Sequence, residues 1–200
     1  MNWLPLNGFE LAAAVLSAIG VWLGVRQAVW NWPFGIVSVL MYAWIFFRAR
    51  LYADAGLQLF YAGISVYGWW HWLTGGRGAG NGGDAPAATL PVTRLPRAWW
   101  PAVVGLTALA AWGIGHLLAT QTNAAIPYLD AALTATSLTA QWMLTRKYVE
   151  NWLLWIAVDV IYVPTYLSRA LPVTAVLYAV FLVLAVLGWR EWRRALRPAA

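Results

Sequence analysis

The chain contains no cysteine, so it can form neither disulfides nor thiolate metal sites, and its redox compartment leaves no trace in the sequence. Histidine is nearly as scarce. His71 and His116 fall near opposite ends of separate helices, and without an H-E-x-x-H pattern no metal pair is expected. Charge is thin as well: 10% of residues are Asp, Glu, Lys or Arg, against roughly 25% in ordinary soluble domains. Also missing are G-x-S-x-G, kinase, Rossmann and phosphate-loop signatures and a nucleophile–base pair. Together these absences argue against an enzyme, and no catalytic residue, metal or cofactor is expected.

What fills the chain instead is apolar: 62% of its 200 residues, with 16 tryptophans. Uncharged runs at Gln27–Phe47, Ala55–Gly76, Ala98–Leu129 and Ala170–Trp189 each reach the ~20 residues that cross a bilayer. The expected class is an all-α polytopic membrane protein. No basic region precedes the first apolar stretch and Glu10 lies within it, which speaks against a cleavable signal peptide. The net charge of +6 would point to nucleic acid in a soluble protein. Here the basic residues lie at helix ends and read as orientation signals, so no nucleic acid is expected.

Seven helices fit the runs, at about 9–25, 30–47, 53–73, 98–119, 127–145, 149–168 and 171–190. Pro172 suits a first helical turn, whereas Pro164 lies inside the sixth helix and should kink it. The chain also aligns with itself: Arg26 falls on Arg146, a shift of 120 positions. Under that shift Trp22/Trp142, Asn31/Asn151, Trp32/Trp152, Tyr42/Tyr162, Gly68/Gly188, Trp69/Trp189 and Trp72/Trp192 are identical pairs. Such a period is too long for a solenoid and marks a duplicated bundle. Because three spans are an odd number, a directly joined copy would be inverted, and an unpaired fourth helix restores a common orientation. The expected plan is two parallel three-helix repeats plus a linking helix, a 3+1+3 arrangement like that of SWEET transporters. Its parts are residues 1–73 (first repeat), 74–97 (flexible Gly-rich loop), 98–120 (linking helix), 121–192 (second repeat) and 193–200 (tail).

Alternate loops carry unequal charge. Arg26, Arg77, Arg94, Arg97, Arg146, Lys147, Arg190, Arg193, Arg194 and Arg197 lie on one side, and only Arg48, Arg50 and Arg169 on the other. This bias puts the first set in the cytoplasm, with the N-terminus outside and the C-terminus inside. Trp69, Trp70, Trp72, Trp99, Trp100, Trp189 and Trp192 collect at the cytoplasmic helix ends, where interfacial aromatic belts form.

Within the sixth helix Trp152, Trp155 and Asp159 follow i, i+3, i+7 spacing and share one face, with Asp159 close to mid-span. An ionisable group at that depth costs about 2.5–3.5 kcal/mol on insertion scales, so it should face the bundle interior with a partner. Two indoles beside a carboxylate suit a flat cationic or polar ring, through stacking, cation–π attraction and charge balance. The plainer reading puts Trp152 in an interfacial belt and bonds Asp159 to a neighbouring hydroxyl. On the third helix Gln58 and Tyr61 share a face, and the repeat sets Gln58 opposite Tyr178. A buried amide or phenol there needs a partner, either another helix or a solute. Tyr162, Tyr42, Tyr128 and Gln141 are further candidates on the same grounds.

The stretches Asn31-Trp-Pro-Phe-Gly, Leu51-Tyr-Ala-Asp-Ala-Gly-Leu-Gln58-Leu-Phe-Tyr61 and Tyr-Gly-Trp-Trp-His-Trp72 resemble the first repeat of the PnuC family of bacterial vitamin transporters. The run from Arg146 through Trp152, Trp155 and Asp159, followed by Leu-Gly-Trp-Arg-Glu-Trp192, resembles the second. The likeness spans about residues 7–195, outside the glycine loop. It implies a central site between the repeats, a homotrimer, and facilitated diffusion of nicotinamide riboside, which a cytoplasmic vitamin kinase traps by phosphorylation. Thiamine is the alternative solute within the family. The resemblance carries over Gln58, Trp152, Trp155 and Asp159 as substrate-binding residues; Tyr61, Tyr162 and Tyr178 complete the candidate set. A carboxylate at position 159 suits the cationic rings of nicotinamide riboside and thiamine better than neutral riboflavin.

Overall fold

The computed structural model of the chain describes residues 8–50, 52–75, 90–122, 125–168 and 172–196. Seven α-helices occur among them: α1 (Gly8–Val25), α2 (Asn31–Arg48), α3 (Tyr52–Leu73), α4 (Trp100–Gln121), α5 (Pro127–Thr145), α6 (Asn151–Ser168) and α7 (Pro172–Ala195). A single 3-10 turn, Arg97–Trp99, leads into α4. The seven expected helices are all present, and the largest boundary difference is the extension of α7 to Ala195. The helix α6 runs through Pro164, although proline gives up one backbone donor and crowds the preceding turn. Most of the expected flexible loop, residues 76–89, lies outside the described residues.

Among the described residues, three helices are long and apolar enough by composition to cross a membrane: Gly8–Val25, the continuous Arg97–Gln121 stretch and Thr174–Ala195. The remaining four are diluted by Asn, Gln, Thr, Tyr and Trp. On α4 the large side chains Val104, Leu106, Leu109, Trp112 and Leu117 all stand exposed, as a lipid-facing surface would require.

The chain divides into two compact units, Met1–Pro91 and Val92–Ala200. In the first, α2 is central and packs against both α1 and α3. The second repeats this with α6 between α5 and α7, and adds α4 against α5. Even the turns match: Gln27 and Lys147, equivalent under the repeat, both adopt positive φ (56° and 53°). Gln27 N–H donates to Gly24 O at 2.9 Å and Lys147 N–H to Leu144 O at 3.0 Å.

A short strap before α4 is clipped onto the second of these turns. Thr93 N–H donates to Lys147 O (3.1 Å), Val149 N–H to Thr93 O (2.9 Å), and Leu95 N–H to the Glu150 carboxylate (3.0 Å). Val92 and Leu95 are buried beside it. Burial pushes the Lys147 ammonium, which lies outside the spans, down to about 8, because a charged group loses hydration there.

Candidate functional site

The site-bearing helix α6 is held on α7 by one packing unit that occurs in both repeats. A Cβ at Gly188 would lie 2.5 Å from Cδ2 and Cε2 of Trp152, so only glycine admits the indole. Trp192 then meets that indole edge-on, with centroids 5.4 Å apart at 88°. In the first unit Trp32 lies over Gly68 in the same way and meets Trp72 at 5.2 Å and 86°. All four rings are buried. Trp72 and Trp192 are therefore core residues and not part of an interfacial belt, whereas Trp69, Trp70 and Trp99 do stand exposed. The reason is position: the indoles that meet Trp32 and Trp152 close the helix pair instead of facing outward. Trp152 is accordingly enclosed by its own protein at 3% exposure. Its indole N–H and that of Trp32 are buried without a hydrogen-bond partner among the described residues.

One helical turn further along, the two repeats part company. In the first unit α1 and α2 come together through glycine: a Cβ on Gly20 would lie 3.3 Å from Gly35 N. Ser38 Oγ–H ties the same pair by donating to Ala13 O at 2.9 Å. Position 35 corresponds to Trp155, 38 to Val158 and 39 to Asp159. The glycine that this approach requires is Gly20, whose counterpart is Ala140, and α5 does pack less closely on α6 than α1 on α2. The looser of the two helix contacts lies in the unit that carries the carboxylate. Trp155 is half-buried and Asp159 is buried at 3% exposure.

Beyond Asp159 the same stripe of α6 continues into two tyrosines, which a third on α7 joins. Tyr162 stacks on Tyr166 (5.4 Å, 19°), and Tyr178 of α7 packs against both, at 4.8 Å and 5.0 Å. Tyr178 lies within electrostatic range of Asp159 and within hydrogen-bond reach of Tyr166. Phe181 closes the cluster at 5.8 Å from Tyr178. Tyr166 escaped the sequence reading, yet its signal was present: 152, 155, 159, 162 and 166 form one unbroken i+3/i+4 row. The first unit has a plainer counterpart, Tyr42 on Phe46 at 6.1 Å.

Of the expected site residues, the structure brings Asp159, Tyr162 and Tyr178 together, with Trp155 one turn away and Trp152 in the helix contact beneath. Gln58 and Tyr61 lie on α3 in the first unit, both half-buried. By the repeat, Gln58 stands where Tyr178 stands in the second unit. No group of three or more Asp, Glu or His able to hold a metal occurs among the described residues.

A duplicated helical bundle with an apolar exterior and a buried carboxylate near a tyrosine cluster defines a multi-pass membrane protein. The chain belongs to the nicotinamide mononucleotide transporter family, whose model matches residues 7–194, and is thus a transporter and not an enzyme. It is 27% identical to the nicotinamide riboside transporter PnuC of Escherichia coli, over 96% of this chain and 87% of that protein. It is 25% identical to the riboflavin/roseoflavin transporter RibM of Streptomyces davaonensis, over 99% and 97% of the two chains. Among solved structures it resembles the vitamin B3 transporter PnuC, with a TM-score of 0.74 and 23% identity over 96% of this chain and 83% of that one. At that identity the likeness speaks to the fold.

Proposed function

We propose that this protein carries nicotinamide riboside across the bacterial cytoplasmic membrane by facilitated diffusion. The observation that carries the reading is the buried carboxylate of Asp159, one helical turn from Trp155 and Tyr162 on α6 and within electrostatic range of Tyr178 on α7. A pyridinium ring offers what such a site lacks: a delocalised positive charge to balance the carboxylate, and a flat face for the aromatic rings. Trp155 stacks on the ring and Asp159 balances its charge. Gln58, with Tyr61, supplies hydrogen bonds from α3. Trp152 holds α6 on α7 so that this constellation keeps its geometry.

The seven helices act as a 3+1+3 plan, with α4 carrying the chain back so that both repeats share one orientation. The excess of Lys and Arg in one set of loops supports an outside N-terminus and a cytoplasmic C-terminus. The protein works as a homotrimer without a coupling ion, and a cytoplasmic kinase draws uptake forward by phosphorylating the vitamin.

Thiamine is the second reading, since its thiazolium ring is also cationic. Riboflavin is a third: the relative RibM is a riboflavin/roseoflavin transporter by name, but a neutral isoalloxazine brings no charge to balance Asp159. Proteoliposomes given radiolabelled nicotinamide riboside, thiamine or riboflavin separate the three. Saturable uptake of nicotinamide riboside above the other two is expected. Uptake of riboflavin alone would overturn the role given to Asp159, and uptake of none would sink the proposal.

A further inference from the structure

The helix α7 has two unlike sides. One packs on α6 through Ala175, Ala185, Gly188 and Trp192. On the other, Val176, Val180, Val183 and Leu187 are exposed at 64%, 43%, 59% and 44%. Their spacing of four, three and four residues makes one straight row along the helix. The row does not stop at the end of the apolar run: the next two members are Arg190 and Arg194. These two, with Trp189 and Arg193, line an open groove of about 470 Å3. Arg193 lies over the Trp189 ring, 5.4 Å from its centroid, so an aromatic face holds one guanidinium beside the other two.

Three arginines exceed what the helix end itself requires. The C-terminal macrodipole amounts to about −0.5 of an elementary charge, and Glu191 contributes one more negative charge, 3.6 Å from Arg194. A surplus of about 1.5 positive charges remains, enough to balance one phosphodiester. Orientation signalling by itself would be satisfied by arginines anywhere in the tail, whereas these continue an exposed apolar row. The repeat sharpens the point, because the matching row on α3 is Gly56, Phe60, Gly63, Tyr67, Trp70 and Thr74. The same fold at the same helix end is built without a single arginine.

We propose that this face of α7 is a binding site for an anionic phospholipid. Its acyl chain lies along Val176, Val180, Val183 and Leu187, and its phosphate sits between Arg190 and Arg194 with Arg193 alongside. Free phosphate would use the arginines alone; the exposed apolar row leading into them selects a lipid.

The test is native mass spectrometry of the full-length protein purified in detergent. Phosphatidylglycerol and phosphatidylcholine of equal chain length are added in competition, a design that does not depend on membrane orientation. Retention of phosphatidylglycerol over phosphatidylcholine by about tenfold or more is expected, at roughly one favourable contact per arginine. The Arg190→Gln/Arg194→Gln variant should lose that preference, and Arg190→Lys/Arg194→Lys should keep most of it. Inorganic phosphate at millimolar concentration should leave the lipid in place. Equal retention of both lipids by the unmodified protein overturns the site without any variant. Displacement by inorganic phosphate overturns the lipid in favour of a free anion. A glutamine variant with unchanged lipid preference but altered subunit number would assign the face to a second copy of the chain.

Discussion

Replacing Gly188 by alanine puts a methyl group 2.5 Å from two atoms of the Trp152 ring, more than an ångström inside ordinary contact. The ring has nowhere to go. It is 3% exposed, and the Trp192 indole set edge-on against it is fully buried. Relief must come from moving α6 away from α7, and overpacking of this kind costs about 1–3 kcal/mol. Alanine returns up to ~1 kcal/mol through its better helix propensity, leaving a net loss of up to about 2 kcal/mol. In a chain of this size that lowers the unfolding temperature by up to roughly 8 °C. Gly63→Ala is the matched control, because a Cβ there has nothing within 4 Å; it should be neutral or slightly stabilising. Thermal unfolding in one detergent, followed by tryptophan fluorescence, compares the two. Trp152→Leu should rescue Gly188→Ala, so that the double variant is more stable than the sum of the single losses predicts, by about 1 kcal/mol or more. If Gly188→Ala unfolds at the same temperature as Gly63→Ala, the glycine–indole contact does not hold α6 on α7. The same conclusion follows if the losses simply add.

Other outcomes follow from the site and its supports. Asp159→Asn should weaken binding of a cationic vitamin by roughly tenfold or more while affecting a neutral analogue less; equal losses in a tryptophan-quenching titration would leave the carboxylate a packing role only. Gln58→Ala should cost about 1–3 kcal/mol of affinity by leaving a polar group of the bound solute unpaired, and an unchanged Kd would remove Gln58 from the site. For Lys147 the pH dependence has a definite sign. Burial lowers its folded pKa to about 8, below the value near 10.4 of an unfolded lysine. The unfolded chain therefore binds more protons between these values, and stability should rise with pH across about 8–10.4. Lys147→Met should flatten that rise in melting curves, and a slope identical in both proteins would refute the assignment.

How much of this was legible in the residues depends on the kind of question asked. Helix number and extent were, because apolar runs, Pro172 and the 120-residue self-alignment are local or nearly local signals. The face shared by Trp155 and Asp159 was legible too, since helical spacing alone sets it. The same rule would have extended the row to Tyr166, had it been followed one more turn. The exposed row of α7 is likewise written in the spacing, but its exposure is not.

Tryptophan shows where sequence stops. A belt residue, a stacking platform and a core filler are the same residue type at the same helix end. What separates Trp70, exposed at 59%, from Trp72, buried at 4%, is which one faces the neighbouring helix. For Trp152 the deciding partner is Gly188, far along the chain and on another helix. For the close approach of α1 and α2 it is Gly20, whose Cβ would lie 3.3 Å from Gly35 N. The sequence alone determined a duplicated helical membrane protein and the family to compare it with, because hydrophobic runs and repeats act through the chain's own periodicity. Only the tertiary structure decided which indoles are scaffold and where the duplicated helices stand apart, because packing is settled by residues that sequence distance keeps separate.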